Sequence, residues 1–264
     1  MRTFTRGIMV GAALFAMVAR AGADEPADTA EAAAAPAEKA EPEKKDWLPG
    51  DLSGNVGLFS DYSFRGVSQT QRNMALQAGL DWTHESGVHL GLWGSNVDFD
   101  EANLEQDFYG GYAGAFGDFS YDILGTFFFY PGDEQFNYWE FAINTAYDFK
   151  VAKVSLGFLG SPDYFGTLGT GTYTSTGVNV PIPLPEAATQ YFDLNFDSKL
   201  GYTHTEQKIF GNTHSYLDWS AAFMVGLPFN LLLDLRYVGT DVHANDIGSD
   251  DADDRVVVGM KYSF

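Results

Sequence analysis

The chain has 264 residues, of which 45% are hydrophobic and 16% aromatic, with 29 glycines and no cysteine. This length suits one large β-domain, and the lack of cysteine excludes disulfides, thiolate metal sites and a lipoprotein anchor. A formal net charge of −21 argues against nucleic-acid binding, which needs a basic surface.

Residues 1–23 predict a cleaved export signal. Arg2 and Arg6 precede an apolar run over residues 7–19, and Ala21-Gly22-Ala23 fits the small-residue cleavage pattern. The apolar run is too short for a membrane-spanning helix, and no later stretch has the roughly 20 apolar residues that such a helix needs. The sequence therefore favours an exported protein that is either periplasmic or a membrane β-barrel.

Residues 24–50 are rich in alanine, glutamate and proline and carry no strand pattern. This composition predicts a disordered, acidic tether in the periplasm. A spacer that binds the cell wall is an alternative interpretation.

Residues 51–264 predict an all-β fold, a single antiparallel transmembrane β-barrel of about 12 strands. From Asn55 onward apolar and polar residues alternate with a period of two, which indicates strands wetted on one face. Most segments approach the roughly 9 to 11 residues that cross a bilayer at a tilt. Residues 172–182 alternate only weakly, and Pro183 to Ala188 are interpreted as a turn.

The predicted connections are alternately short and long, as in outer-membrane barrels. Short turns are predicted for the periplasmic rim at Ser86-Gly87, Gly117-Asp118, Lys150-Val151 and Leu227-Pro228. Longer connections are predicted for the outer rim at residues 66–73, 95–104, 131–136, 161–171, 205–213 and 240–254. A soluble sandwich has no reason to alternate in this way.

Charged residues in the predicted strands lie almost wholly on the face opposite the aromatic residues. A cation that faces lipid at the bilayer midplane costs about 2 to 4 kcal/mol, so we expect the charges inside and the aromatics outside. The first strand is predicted to continue from Asn55 to Arg65. Aromatic residues near strand ends predict interfacial girdles: Tyr62, Phe64, Trp82, Phe129, Trp139, Phe149, Trp219 and Tyr237.

Residues 255–264 predict the closing strand of the barrel. Val256, Val258, Met260 and Tyr262 share one face, and the chain ends on Phe264. A terminal phenylalanine after such alternation is typical of the signal read by the barrel-assembly machinery. The alternative is an edge strand of a soluble sandwich.

Several segments resemble a family of proteobacterial envelope proteins, the TorF-family porins, also called Gcw_chp. The resemblance depends on Ser60-Asp-Tyr-Ser-Phe-Arg-Gly-Val-Ser-Gln-Thr70, Gly91-Leu-Trp-Gly-Ser-Asn-Val-Asp-Phe99, Glu105, Asp107, Tyr109 to Tyr112, Tyr130-Pro131 and Asn137-Tyr-Trp-Glu-Phe141. It covers mainly the first half of the barrel. It implies an outer-membrane barrel and supplies no substrate.

The lumen is the first candidate site. Inward carboxylates are predicted at Asp61, Asp81, Glu105, Asp107, Asp122, Glu140, Asp148, Asp193, Asp197, Asp218 and Asp234, and inward basic residues at Arg65, Lys153, Lys199, Arg236, Arg255 and Lys261. This excess of acid predicts a porin-like, cation-preferring channel through which small solutes diffuse passively. The alternative is a structural or ligand-binding barrel whose interior is filled by ion pairs, because about twelve strands lie between filled and open barrels.

The outer mouth is the second candidate. Its residues are predicted to be Asp61, Arg65, Trp93, Asn96, Asp98, Glu105, Asp107, Tyr130, Asn137 and Glu140, with Asp81, Asp193, Asp234 and Arg236 lining the pore below them. An arginine among carboxylates with aromatic walls could hold a small zwitterion or cation. A structural plug that braces the rim is the alternative.

Other sites are less well supported. The acidic run over 241–254 could bind cations that bridge lipopolysaccharide, or form a solvated loop. No G-x-S-x-G or H-E-x-x-H motif is present, so no enzyme, metal or cofactor is predicted, although His204, His214 and Glu206 could form a surface metal or hydrolytic site. The expected partners are outer-membrane lipids, lipopolysaccharide, small solutes and, through Phe264, the barrel-assembly machinery, but not nucleic acid.

Overall fold

The computed structural model describes residues 49–264. The predicted export signal (1–23) and the predicted tether as far as residue 48 lie outside the described residues. No helix in the described part of the chain is long and apolar enough to cross a membrane.

Within residues 49–264, twelve antiparallel strands close into one barrel, which confirms the predicted fold. They are β1 (Asp51–Phe59), β4 (Ala75–Thr83), β5 (Val88–Phe99), β6 (Ala102–Phe116), β7 (Phe119–Phe129), β8 (Tyr138–Asp148), β9 (Lys153–Ser161), β10 (Gly171–Pro181), β11 (Asp193–Thr205), β12 (Ser215–Leu227), β13 (Leu231–Thr240) and β14 (Arg255–Ser263). A separate small hairpin consists of β2 (Ser63–Phe64) and β3 (Val67–Ser68). Short helical turns span Glu134–Phe136, Tyr164–Gly166, α1 (Glu186–Thr189) and α2 (Ala244–Ile247).

The barrel closes between β1 and β14. The register of this pair runs from Asn55 opposite Ser263 to Phe59 opposite Gly259. Gly54 and Phe264 exchange two backbone hydrogen bonds, with N–O distances of 2.8 and 2.9 Å. The last residue therefore belongs to the closing seam.

The exterior of the barrel wall is apolar. In β14, Val256, Val258 and Met260 are exposed, whereas Arg255 and Lys261 on the opposite face are buried. The same alternation leaves a large apolar side chain exposed on strand after strand, among them Leu90, Phe108, Ile123, Phe141, Phe158, Leu200, Phe223 and Leu235. Such a surface suits the hydrocarbon of a bilayer, and its residues are those predicted from the period of two.

The connections on the rim that holds the chain ends are short at residues 84–87, 117–118, 149–152 and 228–230, as predicted. The turn predicted from Pro183 to Ala188 belongs to a longer connection, residues 182–192, which contains α1. On the opposite rim, the long loop predicted over 95–104 is wrong. Strands β5 and β6 continue to a tight turn at Asp100-Glu101, because strands that project beyond the lipid need no apolar outward face.

The predicted continuation of the first strand to Arg65 is also wrong. Strand β1 ends at Phe59, and residues 60–74 fold back into the lumen; we call this segment the plug. Tyr62 and Phe64, predicted to be girdle residues, are 1% and 4% exposed inside the barrel. Residues inside a lumen are covered on both sides, so the alternation of this segment does not reveal which way it turns.

Candidate functional site

The plug carries a two-residue hairpin turn at its tip. Arg65 and Gly66 connect β2 to β3 with φ angles of +50° and +82°, the positive pair that a type I′ turn requires. A Cβ atom on Gly66 would collide with Thr240 and lie 2.9 Å from the Gly239 carbonyl oxygen. Arginine adopts a positive φ only where its surroundings hold it there, so the contacts of the Arg65 side chain must stabilise the turn.

The Arg65 side chain is buried in a pocket of the barrel wall. Its Nη2 donates to both carboxylate oxygens of Glu140, at 2.7 and 2.8 Å, and the two side chains are 1% and 4% exposed. The guanidinium carbon also lies 4.3 Å from the ring centre of Tyr173 and 5.2 Å from that of Tyr164. The pocket thus combines a buried carboxylate with two aromatic rings, the surroundings that stabilise a desolvated cation.

A second ion pair fastens the base of the plug. The Asp61 carboxylate accepts from Arg255 Nε at 2.5 Å and from the hydroxyls of Ser68 and Thr70 at 2.5 and 2.9 Å. Arg255 also donates through Nη1 to the Gly66 carbonyl at 2.8 Å. The plug backbone is therefore held to β14 independently of the Arg65 side chain.

The Tyr62 hydroxyl fastens the plug to β6 by donating to Glu105 at 2.8 Å. Burial, reinforced by the nearby Glu105 and Asp107 carboxylates, raises the pKa of Tyr62 well above its usual range. The phenol consequently keeps its proton and remains a hydrogen-bond donor at any ordinary pH.

Aromatic side chains cover the plug on the outer side. The ring centre of Phe165 lies within 6.4 Å of five other aromatic ring centres, those of Phe64, Phe99, Tyr130, Tyr138 and Tyr164. Phe165 itself lies at φ +49° in the loop between β9 and β10. Phe64 of the plug therefore packs into an aromatic cluster formed by strand ends and connecting loops of the barrel.

The lumen between the plug and the rim with the chain ends is polar. Arg236 pairs with Asp234 at 2.9 Å and with Asp197 at 3.3 Å. Across the barrel, His89 Nε2 lies 2.9 Å from Asp122. A cavity of about 10 Å³, lined by Phe59, Asp61, Tyr62, Ser63, Gln77, Asp234, Arg236 and Val257, separates the plug from this region and has room for about one water molecule.

The predicted site residues separate into two levels. Asp61, Arg65, Trp93, Glu105, Asp107 and Glu140 are buried at the level of the plug. Asp81, Asp193, Asp234 and Arg236 lie on inward positions of their strands nearer the chain ends, where Asp81 accepts a hydrogen bond from Tyr109.

Two of the predicted mouth residues do not line the lumen. Asn96 lies on the outward face of β5, where its amide accepts from Leu76 N at 2.7 Å and donates to the Met74 carbonyl at 3.1 Å. Asp98 is exposed. Both belong to the outward series of β5, because this strand continues past the point where a loop was predicted.

Tyr164, Tyr173 and His89 are site residues that the sequence pattern does not identify. Tyr173 lies in β10, whose weak alternation left its inward face unassigned, and Tyr164 lies in a loop. His89 is inward on β5 by the period of two, but nothing in the sequence pairs it with Asp122 on β7.

Acidic residues of the two other predicted sites, the run over 241–254 and the group around Glu206, form hydrogen bonds that stabilise loops. In the acidic run, Asp241 accepts from Leu217 N at 2.8 Å, and the Asp251 carbonyl accepts from plug residue Ser68 at 2.8 Å. Glu206 accepts from the backbone and hydroxyl of Thr170, and these hydrogen bonds lower the pKa of the Glu206 carboxyl. Within residues 49–264, no group of three histidine, aspartate or glutamate side chains could hold a metal ion.

Comparison with known proteins supports a family and a fold. Residues 43–264 match a family described as a bacterial protein of unknown function (Gcw_chp); the narrower TorF name goes beyond this match. No curated protein sequence matches the chain.

Among solved structures, the KdgM porin is similar with a TM-score of 0.54 and 10% identity over 80% of this chain and 99% of that one. The NanC porin is similar with a TM-score of 0.51 and 10% identity, over 81% of this chain and 99% of that one. The structure of KdgM in complex with disordered oligogalacturonate has a TM-score of 0.53 and 9% identity, over 81% of this chain and 98% of that one. At such identities the likeness shows the fold alone, that of outer-membrane porins.

Proposed function

Since the chain belongs to the Gcw_chp family, whose function is unknown, we propose from its structure that it is a porin-like channel of the outer membrane that passes small solutes and prefers cations. The observation that carries this proposal is the charge of the lumen. Inward carboxylates outnumber inward lysines and arginines about two to one on the strand register and in the plug.

This excess has a physical consequence for ions in the lumen. The surrounding wall has a low dielectric constant, so it focuses the negative potential and concentrates cations. Salt screens such a field over about 10 Å at 0.1 M. We therefore expect the cation preference to weaken as the salt concentration rises.

The plug narrows the path to a constriction in the outer half of the barrel. Its residues contact β6, β8, β10 and β14 through Tyr62, Arg65 and Asp61. We therefore assign the control of conductance to the plug and the control of ion selectivity to the wall.

The reversal potential across a potassium chloride gradient in a planar bilayer tests the proposal. We expect a cation-selective sign for the wild type, and a higher conductance of the same sign when residues 62–70 are replaced by a short glycine-serine linker. Changing Asp81 and Asp193 together to asparagine should reduce selectivity, whereas Glu85→Gln at an exposed turn should not. An anion-selective sign would contradict the proposal.

A barrel without conduction is the second candidate, and the buried ion pairs of the plug favour it. It predicts no current from the linker variant, even when heat-modifiable gel migration shows that the barrel has folded. The same recordings therefore decide between the two functions.

The cellular location belongs to the proposal as well. We expect a mature chain that starts at Asp24, embedded among outer-membrane lipids and lipopolysaccharide, with the strand ending at Phe264 read by the barrel-assembly machinery. N-terminal sequencing and membrane fractionation test this, and recovery in a soluble periplasmic fraction without detergent would contradict it.

A further inference from the structure

The pocket that holds the Arg65 side chain has the composition of a receptor for a small planar cation. Glu140 supplies a carboxylate that is 4% exposed, with both oxygens directed at the guanidinium. Tyr173 and Tyr164 place their rings 4.3 and 5.2 Å from its central carbon. None of these three groups belongs to the plug.

The occupant of this pocket is separable from the rest of the plug. The plug backbone is held by Asp61 to Arg255 and by the Arg255 hydrogen bond to the Gly66 carbonyl. The Arg65 side chain could therefore leave the pocket while the plug backbone stays attached to the wall.

Arg65 is also an imperfect occupant. Its backbone has a positive φ of +50°, which strains a residue other than glycine. Its Nε is buried with no hydrogen-bond partner among the described residues. A free guanidinium compound has neither restriction, because it can rotate to direct its N–H groups at Glu140.

The chemistry of the pocket favours a guanidinium over other cations. Guanidinium is planar and weakly hydrated, so it stacks on aromatic rings and leaves water more readily than an ammonium does. Lys199 Nζ lies 5.1 Å from the Tyr173 ring centre, and this second positive charge opposes the entry of a divalent ion.

We infer that Glu140, Tyr164 and Tyr173 form a binding site for guanidinium-bearing solutes, which Arg65 of the plug occupies in their absence. A solute of this class competes with Arg65, so its binding displaces the Arg65 side chain from the pocket. The inference names the solute class of the proposed channel and rests on that function only for its biological meaning.

The test empties the pocket and refills it with free guanidinium. The readout is the temperature at which the barrel unfolds, followed by heat-modifiable gel migration. In Arg65→Ala, 5 mM guanidinium chloride should raise this temperature by several degrees relative to sodium chloride at equal ionic strength. In Arg65→Met the side chain fills the space, and in Arg65→Ala combined with Glu140→Gln the carboxylate is lost, so neither should show this shift. Tetramethylammonium, a cation of different shape, should not replace guanidinium.

The site can be tested whether or not the Arg65→Ala variant folds without guanidinium. If it does not fold, refolding yield in detergent becomes the readout, and guanidinium but not sodium should restore it. No stabilisation and no restored folding, or an equal effect in the variant that also carries Glu140→Gln, would overturn the inference. Neither readout uses ion current, so a barrel that binds guanidinium without conducting would refute the proposed function and leave the site intact.

Discussion

Replacing Glu140 by glutamine should release the plug tip. The ion pair with Arg65 is buried on both sides, with 1% and 4% of the side chains exposed, and removing one partner of such a pair typically costs about 3 to 5 kcal/mol. Glutamine still offers one oxygen as an acceptor, so we expect about 3 kcal/mol, the lower end of that range. Every 1.4 kcal/mol changes an equilibrium constant tenfold. The fraction of molecules with a released plug should therefore be roughly a hundredfold higher than in the wild type.

Thiol labelling measures this release directly. The chain has no cysteine, so Ser63→Cys places a single thiol in the plug, at a position that is 5% exposed. The rate of reaction with a charged maleimide should rise roughly a hundredfold when Glu140→Gln is added. Glu101→Gln, at the exposed turn between β5 and β6, is the matched control and should leave the rate unchanged.

The double replacement is a second check on the buried pair. Replacing both partners of a buried ion pair by apolar side chains of similar volume is often close to neutral, so Arg65→Met combined with Glu140→Met should label much more slowly than Glu140→Gln alone. A labelling rate that Glu140→Gln leaves at the wild-type value would refute the assignment of this pair as the fastening of the plug tip.

Two further changes to the plug have defined outcomes. Gly66→Ala should raise the labelling rate of the same thiol, because the added Cβ would collide with Thr240 in a turn that already has a φ of +82°; an unchanged rate would show that the hairpin can shift without leaving the wall. High pH should also release the plug, because the raised pKa of Tyr62 stabilises the folded state fully below the ordinary phenol pKa of 10.0 and loses that contribution as pH rises above it. Labelling relative to an exposed thiol from Ser86→Cys should accelerate above pH 10 in the wild-type background but not in Tyr62→Phe.

The sequence predicts the barrel wall well because the two faces of each strand meet opposite solvents. In β14 and β8 every second side chain faces the exterior, so a period of two identifies both the strands and their inward residues. The same rule fails for residues 60–65, where alternation continues through Tyr62 and Phe64 although the chain has left the wall. A segment inside the lumen is enclosed on all sides, and its pattern no longer reports a face.

The candidate site could be predicted only in part. An arginine in the plug among several carboxylates is visible in the sequence, but its pairing with Glu140 depends on the depth of each residue along its strand, which strand tilt and register determine. Tyr173 was not identified because threonines alternate with glycine, tyrosine and serine along Gly171 to Gly177, which gives weak polar contrast between the two faces. Tyr164 lies in an irregular loop, where no period applies.

Two charged side chains of the plug pair with the barrel wall, and the third, Arg72, pairs with Asp250 of an outer loop at 3.3 Å. The carboxylate of Asp61 in the plug pairs with Arg255 of the wall, and the guanidinium of Arg65 in the plug pairs with Glu140 of the wall. The plug is thus neutral as far as these two groups are concerned, and its departure would leave one positive and one negative side chain on the wall. The acidic excess of the lumen then stays the same with the plug in place or displaced. It follows that cation preference is a property of the wall, so the sign of the reversal potential should survive any variant that moves the plug.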